Sequence, residues 1–309
     1  MAEERERVFL KVKVKTGHPH PLISPDYLDP AGSIEDNSSS QYFIYELQKS
    51  FHGFPFRVLD LGCAGGQFVV DIYNKGFPWV AVGIEGGNIY GMTKEFEEKE
   101  CETGALSIAR GAQNWKQYEG KCLFHADISK PFEVLKQEEL HEVLLKQEKS
   151  HDNSFKNASR LTFNVITAYE FLEHPLPEEI PQILENVKNH LHGNGYFVGT
   201  INLSPGDHHR CPRPVEWWNN IFEEHGFDMY QYPFMSSPRT GLWYLSQLVK
   251  WCSENPHVPA HLALRRDQSV IGPRHIEKQL IEAQAYGHLE DLDECNEENY
   301  PFCARLKRN

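Results

Sequence analysis

Two hydrophobic rhythms alternate along the chain from residue 57. Short apolar runs at 57–61, 79–84, 122–126, 161–168 and 196–201 have the length and β-branched content of buried strands. Between them apolar residues recur every three or four positions. Phe68, Val69, Ile72 and Tyr73 mark a helix over roughly 66–75, with Gly76 as its stop. A charged segment at 88–112 also reads as helical. Ile180, Ile183, Leu184, Val187 and Leu191 share one face of a helix over 177–191, with Glu178 and Glu179 in its first turn and Gly193 at its end. Pro214 opens a further helix that turns Trp217, Trp218, Ile221 and Phe222 inward and stops at Gly226. A sixth strand follows at 228–232. Strand and helix in alternation predict an α/β fold, a Rossmann-like, mostly parallel sheet with helices on both faces.

Three stretches break this rhythm. Residues 1–40 are polar and irregular; within them 11–15 alternate Lys and Val as a short exposed strand would, and Pro19, Pro21, Pro25 and Pro30 punctuate the rest. A short helix at 41–50 leads into the first core strand. The charged stretch 131–158 separates two strands that could be joined directly. Leu140, Val143 and Leu144 at helical spacing predict an inserted surface helix, followed by a polar loop at 151–159. Beyond 240 the pattern weakens to helical segments at 242–252 and 274–286, and 288–298 hold six acids and no base, a composition for an exposed or disordered segment. The expected organisation is an N-terminal segment 1–40, a main domain 41–240 with the insertion 131–158, and a helical, acidic extension 241–309.

Composition narrows the class. The chain has 309 residues, 40% hydrophobic and 24% charged, which is ordinary for a globular protein. A formal net charge of −13 argues against nonspecific nucleic-acid binding, and no cluster mixes aromatic with basic residues. The polar opening has no apolar segment behind it, and no run approaches the ~20 apolar residues of a membrane helix. Seven scattered cysteines, never in Cys-x-x-Cys spacing, fit a reduced, cytoplasmic chain.

The chemistry concentrates where the first strand meets the first helix, in Val58-Leu-Asp-Leu-Gly-Cys-Ala-Gly-Gly66. Glycines there let backbone approach a ligand, and the helix start offers free N–H groups. The order Gly62, Gly65, Gly66 departs from the Gly-x-Gly-x-x-Gly of a pyrophosphate site, and Asp60 would repel a pyrophosphate. A carboxylate there suits a cationic ligand such as the sulfonium and ammonium of S-adenosylmethionine. Glu85, ending the second strand, can accept both ribose hydroxyls. Asp127, ending the third, can accept from an adenine amine, and the Ile128 N–H can face a ring nitrogen.

These residues resemble the class I S-adenosylmethionine-dependent methyltransferases. The Asp60–Gly66 turn looks like the family's first motif, Glu85 its ribose-binding acid, and His125-Ala-Asp-Ile128 its adenine step. Phe163-Asn-Val-Ile-Thr-Ala-Tyr-Glu-Phe-Leu-Glu-His174 resembles its fourth-strand motif, with Asn164 where relatives often have Asp, and Gly195-Tyr-Phe-Val-Gly199 its fifth strand. The likeness spans roughly 41–235 and implies a seven-stranded type of sheet. It also implies S-adenosylmethionine as cofactor, held by Asp60, Gly62, Gly65, Gly66, Glu85, Asp127 and Ile128, with Glu170 reaching the methionine end. Asp207-His-His-Arg-Cys-Pro-Arg-Pro-Val-Glu-Trp-Trp218 is similar to a loop of glycan-biosynthesis methyltransferases, with two extra residues between Arg213 and Glu216.

That second likeness points to O-methylation of a small molecule or glycan hydroxyl. Methyl transfer from a sulfonium needs alignment, and a base when the acceptor is a hydroxyl. His174 and His209 are the expected bases, with His208 beside them; each also reads as a structural histidine bonding a loop. No metal site is expected, because three adjacent residues such as Asp207, His208 and His209 rarely point at one ion. Cys63 and the Trp217–Trp218 pair read as packing residues. The alternatives are a catalytically silent scaffold that binds S-adenosylmethionine, suggested by the insertion and extension, and a nucleic-acid methyltransferase, which the acidic balance disfavours.

Overall fold

The computed structural model describes residues 10–28, 37–50, 56–76, 79–87, 105–136, 160–206, 208–229 and 299–307. Chain contacts divide it into two units: residues 1–39, 51–233 and 299–309 in one, 40–50 and 234–298 in the other. In the second unit the described element is the helix Gln41–Ser50, capped by Ser40, whose hydroxyl accepts the Phe43 N–H at 3.1 Å. The segments expected at 242–252, 274–286 and 288–298 lie outside the described residues, as do 88–104, 137–159 and Asp207.

The first unit is built on a seven-stranded sheet. Its strands, numbered along the chain, are β2 (Phe56–Leu61), β3 (Trp79–Glu85), β4 (Leu123–His125), β6 (Phe163–Tyr169), β7 (Leu191–Asn202), β8 (Phe227–Met229) and β9 (Asn299–Leu306). They lie in the order β4-β3-β2-β6-β7-β9-β8. The first five are parallel, and β9 enters antiparallel between β7 and β8. β2, β3 and β6 are buried on both faces, which is why they read as apolar runs rather than alternations. The order reverses between β2 and β6, and a sheet of this kind opens its ligand crevice at the carboxyl ends beside that switch.

In the first unit α1 is the short Pro25–Leu28. The Gln41–Ser50 helix of the second unit is α2. α3, Gln67–Tyr73 of the first unit, packs on β3. α4 runs Ala105–Tyr118, extending past the expected 112. A 3₁₀ turn at Pro177–Glu179 precedes α5 (Ile180–His190), and Glu179 closes it by accepting the Leu176 N–H at 2.8 Å. α5 turns Ile180, Ile183, Leu184 and Val187 into the core, as their spacing predicts. Its last turn is anchored by polar groups: His190 Nε2 accepts the Val134 N–H at 3.0 Å, and the Asn186 amide donates to the carbonyls of Ile128 and Lys130. α6 (Val215–Glu224) follows Pro214 as expected, with Trp218 and Phe222 buried and Trp217 and Ile221 partly buried against the core.

Two expectations are corrected. The stretch from 131 does not begin as a helix. Phe132–Lys136 is a strand, β5, pairing antiparallel with β1 (Val12–Thr16), the alternating segment near the N-terminus. Phe132, Val134 and Leu135 are buried there, and a segment with that apolar content and a free partner edge gains more from pairing than from a solvated helix. Second, the sheet does not end near 240, because β9 comes from 299–306. Its composition, with Tyr300, Phe302 and Leu306 and no acid, sets it apart from the acidic stretch before it, but a single short run does not show that it joins a sheet whose other strands end at 229.

Among the described residues, no helix is long and apolar enough to cross a membrane.

Candidate active site

Three carboxylates end three neighbouring strands, as the sequence spacing predicts. Asp60, Glu85 and Asp127 are 8%, 7% and 6% exposed. β2 and β3 are in register with Asp60 opposite Gly83, and β3 and β4 with Glu85 opposite His125. The turn after β2 holds Gly62 at φ 72° and Gly66 at φ 76°, and Ala64 shares that left-handed region at φ 47°. A Cβ on Gly62 would stand 2.7 Å from the Phe171 ring, so both space and conformation require glycine. The unusual Ala64 conformation aims its N–H at Glu85 Oε2, 2.8 Å away, while Glu85 Oε1 accepts from Gly87 at the same distance. Burial pushes the Glu85 carboxyl up in pKa, and these two amides work against that rise.

The partners differ around the other two acids. Asp60 Oδ1 accepts the Thr167 hydroxyl of β6 at 2.6 Å. Asp127 Oδ1 accepts from the Ser129 amide and hydroxyl, at 3.0 and 2.6 Å, and its own N–H donates to His18 O at 2.7 Å. Ile128 is buried, with its carbonyl tied to Asn186. Gly65 lies so close to Asn37 that a Cβ would meet its side chain at 2.6 Å, and Asn37 Oδ1 accepts the Gln67 N–H that starts α3. Asn164 accepts the Arg57 N–H at 3.0 Å and so works in the sheet rather than at the ligand. Cys63 is 7% exposed, its thiol pushed well up by burial and by the charges of Glu85 and Asp60, and it packs against Gly83.

The segment before residue 40 contributes more than irregular chain. His20 Nδ1 donates to Gly86 O at 3.0 Å, and Pro21 sits 2.9 Å from where a Gly86 Cβ would be. His20 also packs on His125, which stacks on Trp115 at 4.3 Å between ring centroids. Burial, with His20 alongside, drops the His125 pKa to about 4, so the His125 imidazole is uncharged at neutral pH.

A second constellation forms just past the carboxyl end of β6. Glu170 has φ 49°, its N–H donates to Thr200 O, and its Oε1 accepts the Thr200 hydroxyl. Glu173 is fully buried. Its Oε1 accepts the Asn202 N–H at 3.0 Å, and its Oε2 has no hydrogen-bond partner among the described residues. Burial and then the Glu170 charge raise the Glu173 pKa to about 8. His174 Nδ1 donates to Asp26 Oδ1 at 3.0 Å. Burial disfavours the His174 imidazolium, but the hydrogen bond and charge of Asp26 outweigh it and raise the pKa. Asp26 is partly buried, which works to raise its carboxyl, but its bonds to His174 and His208 outweigh this and hold it below the ordinary value.

The two neighbouring histidines part company. His208 Nδ1 shares Asp26 Oδ1 at 3.0 Å, whereas His209 turns to His174, with ring centroids 5.2 Å apart. His209 Nδ1 donates to Ser204 O at 2.8 Å. A carbonyl can only accept, so Nε2 is the nitrogen His209 keeps for other partners. The loop is held in place by the Cys211 N–H on Glu173 O at 2.8 Å and by Arg210 Nε on His174 O at 2.8 Å. One ligand-type atom from each of Glu173, His174 and His209 lies within 4.8 Å of the others.

Sequence reasoning names His174, His209 and Glu170, and the structure brings them to one place. It misses Asp26, Thr200, Asn202 and the orphaned oxygen of Glu173. Asp26 stands 148 residues before His174, and its Ser-Pro-Asp context reads only as a turn.

A methyltransferase-domain family matches residues 32–233. Among solved structures the chain is similar to an S-adenosylmethionine-dependent methyltransferase from Clostridium acetobutylicum, at 10% identity over 90% of this chain and 92% of that one, with a TM-score of 0.39. It is similar to a TehB-like S-adenosylmethionine-dependent methyltransferase from Corynebacterium glutamicum, at 12% identity over 62% and 76%, TM-score 0.37. A glycopeptide N-methyltransferase, MtfA, matches at 12% identity over 62% and 82%, TM-score 0.32. No curated protein matches the chain. The family match extends over well more than half of the chain and takes in both the glycine turn and the β6 cluster, and the chain belongs to the methyltransferase-domain family of class I S-adenosylmethionine-dependent enzymes.

Proposed function

We propose that this methyltransferase acts on a hydroxyl oxygen of a small molecule or glycan. S-adenosylmethionine supplies the methyl group as an electrophile on sulfur. Asp60, Gly62, Gly65, Gly66, Glu85, Asp127 and Ile128 hold the cofactor in this reading, and Glu170 faces its methionine end. Support for the donor assignment comes from three buried acids on adjacent strands, a set that suits a cation and its ribose and disfavours a pyrophosphate. The glycine turn offers backbone close enough for contact.

The observation that carries the hydroxyl reading is the convergence of Glu173, His174 and His209 beside that turn. β6, which delivers the cluster, pairs directly with β2, which delivers the turn. Amine acceptors are nucleophilic once neutral, whereas a hydroxyl must lose its proton as the new bond forms. Proton removal is the task these side chains suit. In the simplest route, His174 Nε2 takes the proton while Asp26 stabilises the resulting imidazolium and fixes the ring. His209 helps to place the acceptor oxygen.

The test incubates the full chain with S-adenosylmethionine and a panel of sugars, polyols, phenols, amines and nucleosides, and follows product mass. Methyl ethers are the expected products. Methylation confined to nitrogen or carbon would refute the hydroxyl reading, and absence of heat on titration with S-adenosylhomocysteine would remove the donor assignment.

A further inference from the structure

We infer that Glu173, His174 and His209 bind one divalent cation of the imidazole-binding kind, such as manganese, cobalt, ferrous iron or zinc, and that the acceptor hydroxyl completes its coordination. This rests on the reading of the cluster as the acceptor end, and it replaces direct proton abstraction by His174.

Four observations carry it. The side chains offer one carboxylate and two imidazoles, a common donor set for such ions, with positions left open for other ligands. Their ligand atoms lie within 4.8 Å of one another. Donors on one ion at ~2.0–2.2 Å stand about 3–4 Å apart, so a small turn of the side chains closes the set. Second, both histidines are already committed to one tautomer. Nδ1–H of His174 is given to Asp26 and that of His209 to Ser204 O, which leaves the Nε2 lone pairs for a metal. Carboxylate and carbonyl partners behind the ring are the usual outer support of histidine ligands.

Third, Glu173 Oε2 is a fully buried carboxylate oxygen without a hydrogen-bond partner among the described residues, while Oε1 is fixed by the Asn202 N–H. An unpaired buried charge is costly, and a cation is the partner that would offset it. Finally, Gly206 allows the His209 ring to fold back, because a Cβ there would stand 3.0 Å from Nδ1. The loop geometry thus serves a specific ring position.

The chemistry closes without an added reagent. A hydroxyl bound to the cation loses its proton to solvent more readily than a free one. The oxygen then forms its bond to the methyl carbon as the carbon–sulfur bond breaks, and that electron pair stays on sulfur as the thioether of S-adenosylhomocysteine. No oxidation state changes. Open adjacent positions on one ion favour acceptors with two neighbouring hydroxyls, as on a sugar ring.

The experiment strips the full chain with chelator, desalts it, and titrates it with cobalt(II), manganese(II) and zinc(II) in turn. Cobalt absorption and elemental analysis read the stoichiometry, and S-adenosylhomocysteine titration checks the fold. One equivalent is expected. Glu173→Gln and His209→Ala should each weaken it at least ~10-fold, and Asp26→Asn by ~10-fold or more, with cofactor-product affinity retained. Failure to bind any of the three ions stoichiometrically overturns the inference. So does binding unaffected in the Glu173→Gln/His209→Ala double variant. Methyl ether formation that continues undiminished in chelator sinks the metal but leaves the hydroxyl reading standing. One tightly bound ion with products methylated only on nitrogen keeps the site and sinks the hydroxyl reading.

Discussion

The end of the crevice proposed for the donor and the end proposed for the acceptor are made in different ways. At the donor end, each acid sits at the close of its own strand, and Glu85 is met by backbone N–H groups from turns next to it in the fold. Main chain shapes that pocket, and side-chain identity matters at a few points. At the acceptor end more of the contacts run between side chains, with the Asn202 N–H and the Ser204 carbonyl among their partners. Asp26 comes from α1, Glu170, Glu173 and His174 from the end of β6, Thr200 and Asn202 from β7, and His209 from the loop beyond. A pocket made of main chain tolerates change at its rim. One made of side chains from four segments depends on each of them.

That contrast can be broken by substitution. The largest effect is expected at His174. His174→Ala should lower kcat by ~10²–10⁴, as loss of a proton-removing or metal-holding group does, while S-adenosylhomocysteine affinity stays the same. Loss of both together would mean that the two ends are not separate. Next comes Glu85→Ala, expected to weaken S-adenosylhomocysteine binding by ~1.5–3 kcal/mol in calorimetry, since charged hydrogen bonds are lost and two amides are left without an acceptor. An unchanged dissociation constant would count against the ribose role.

Asp26→Asn is intermediate. It keeps the shape and removes the charge behind His174, so the apparent pKa in the kcat profile should fall, because Asp26 is what raises His174 against its burial. A profile that does not move would assign Asp26 to folding alone. The smallest expected effect is on stability, measured by denaturant unfolding in chelator. Glu173 has a folded pKa near 8 against an ordinary 4.5, so the folded state keeps a proton that the unfolded chain releases. Stability should fall as pH rises from 4.5 towards 8, and the raised His174 pKa adds to the same slope above its ordinary 6.5. Glu173→Gln should flatten the decline. An unaltered slope in that variant would place the effect elsewhere.

The same contrast explains what could be read from the residues alone. Asp60, Gly62, Glu85 and Asp127 are legible because strand ends are marked locally by apolar runs and glycines. The helix at 180–190 is legible for the same reason, since four apolar residues share one face, while Leu191, expected on it, instead begins β7. Asp26 is not. Its role arises from a contact 148 positions away, and periodicity carries no information about that distance. Sequence spacing suggested that Asp207, His208 and His209 would rarely point at one ion; His208 and His209 turn to different partners, and Asp207 lies outside the described residues. What spacing could not offer was the set Glu173, His174 and His209, joined across a loop. β5 was misread because a charged segment with a few apolar residues supports either period, and only the presence of β1 as a partner decides between them.

The placement of β9 has a consequence for how the molecule is made. Among the described residues β8 pairs with β9 alone, and β9 comes from positions 299–306. During synthesis, Phe227–Met229 therefore has no neighbour to join until some seventy further residues have left the ribosome. Until then the flank of β7 stands bare, an open edge that invites pairing with another nascent copy. Stop codons shortly before 299 should yield aggregates rather than a trimmed enzyme.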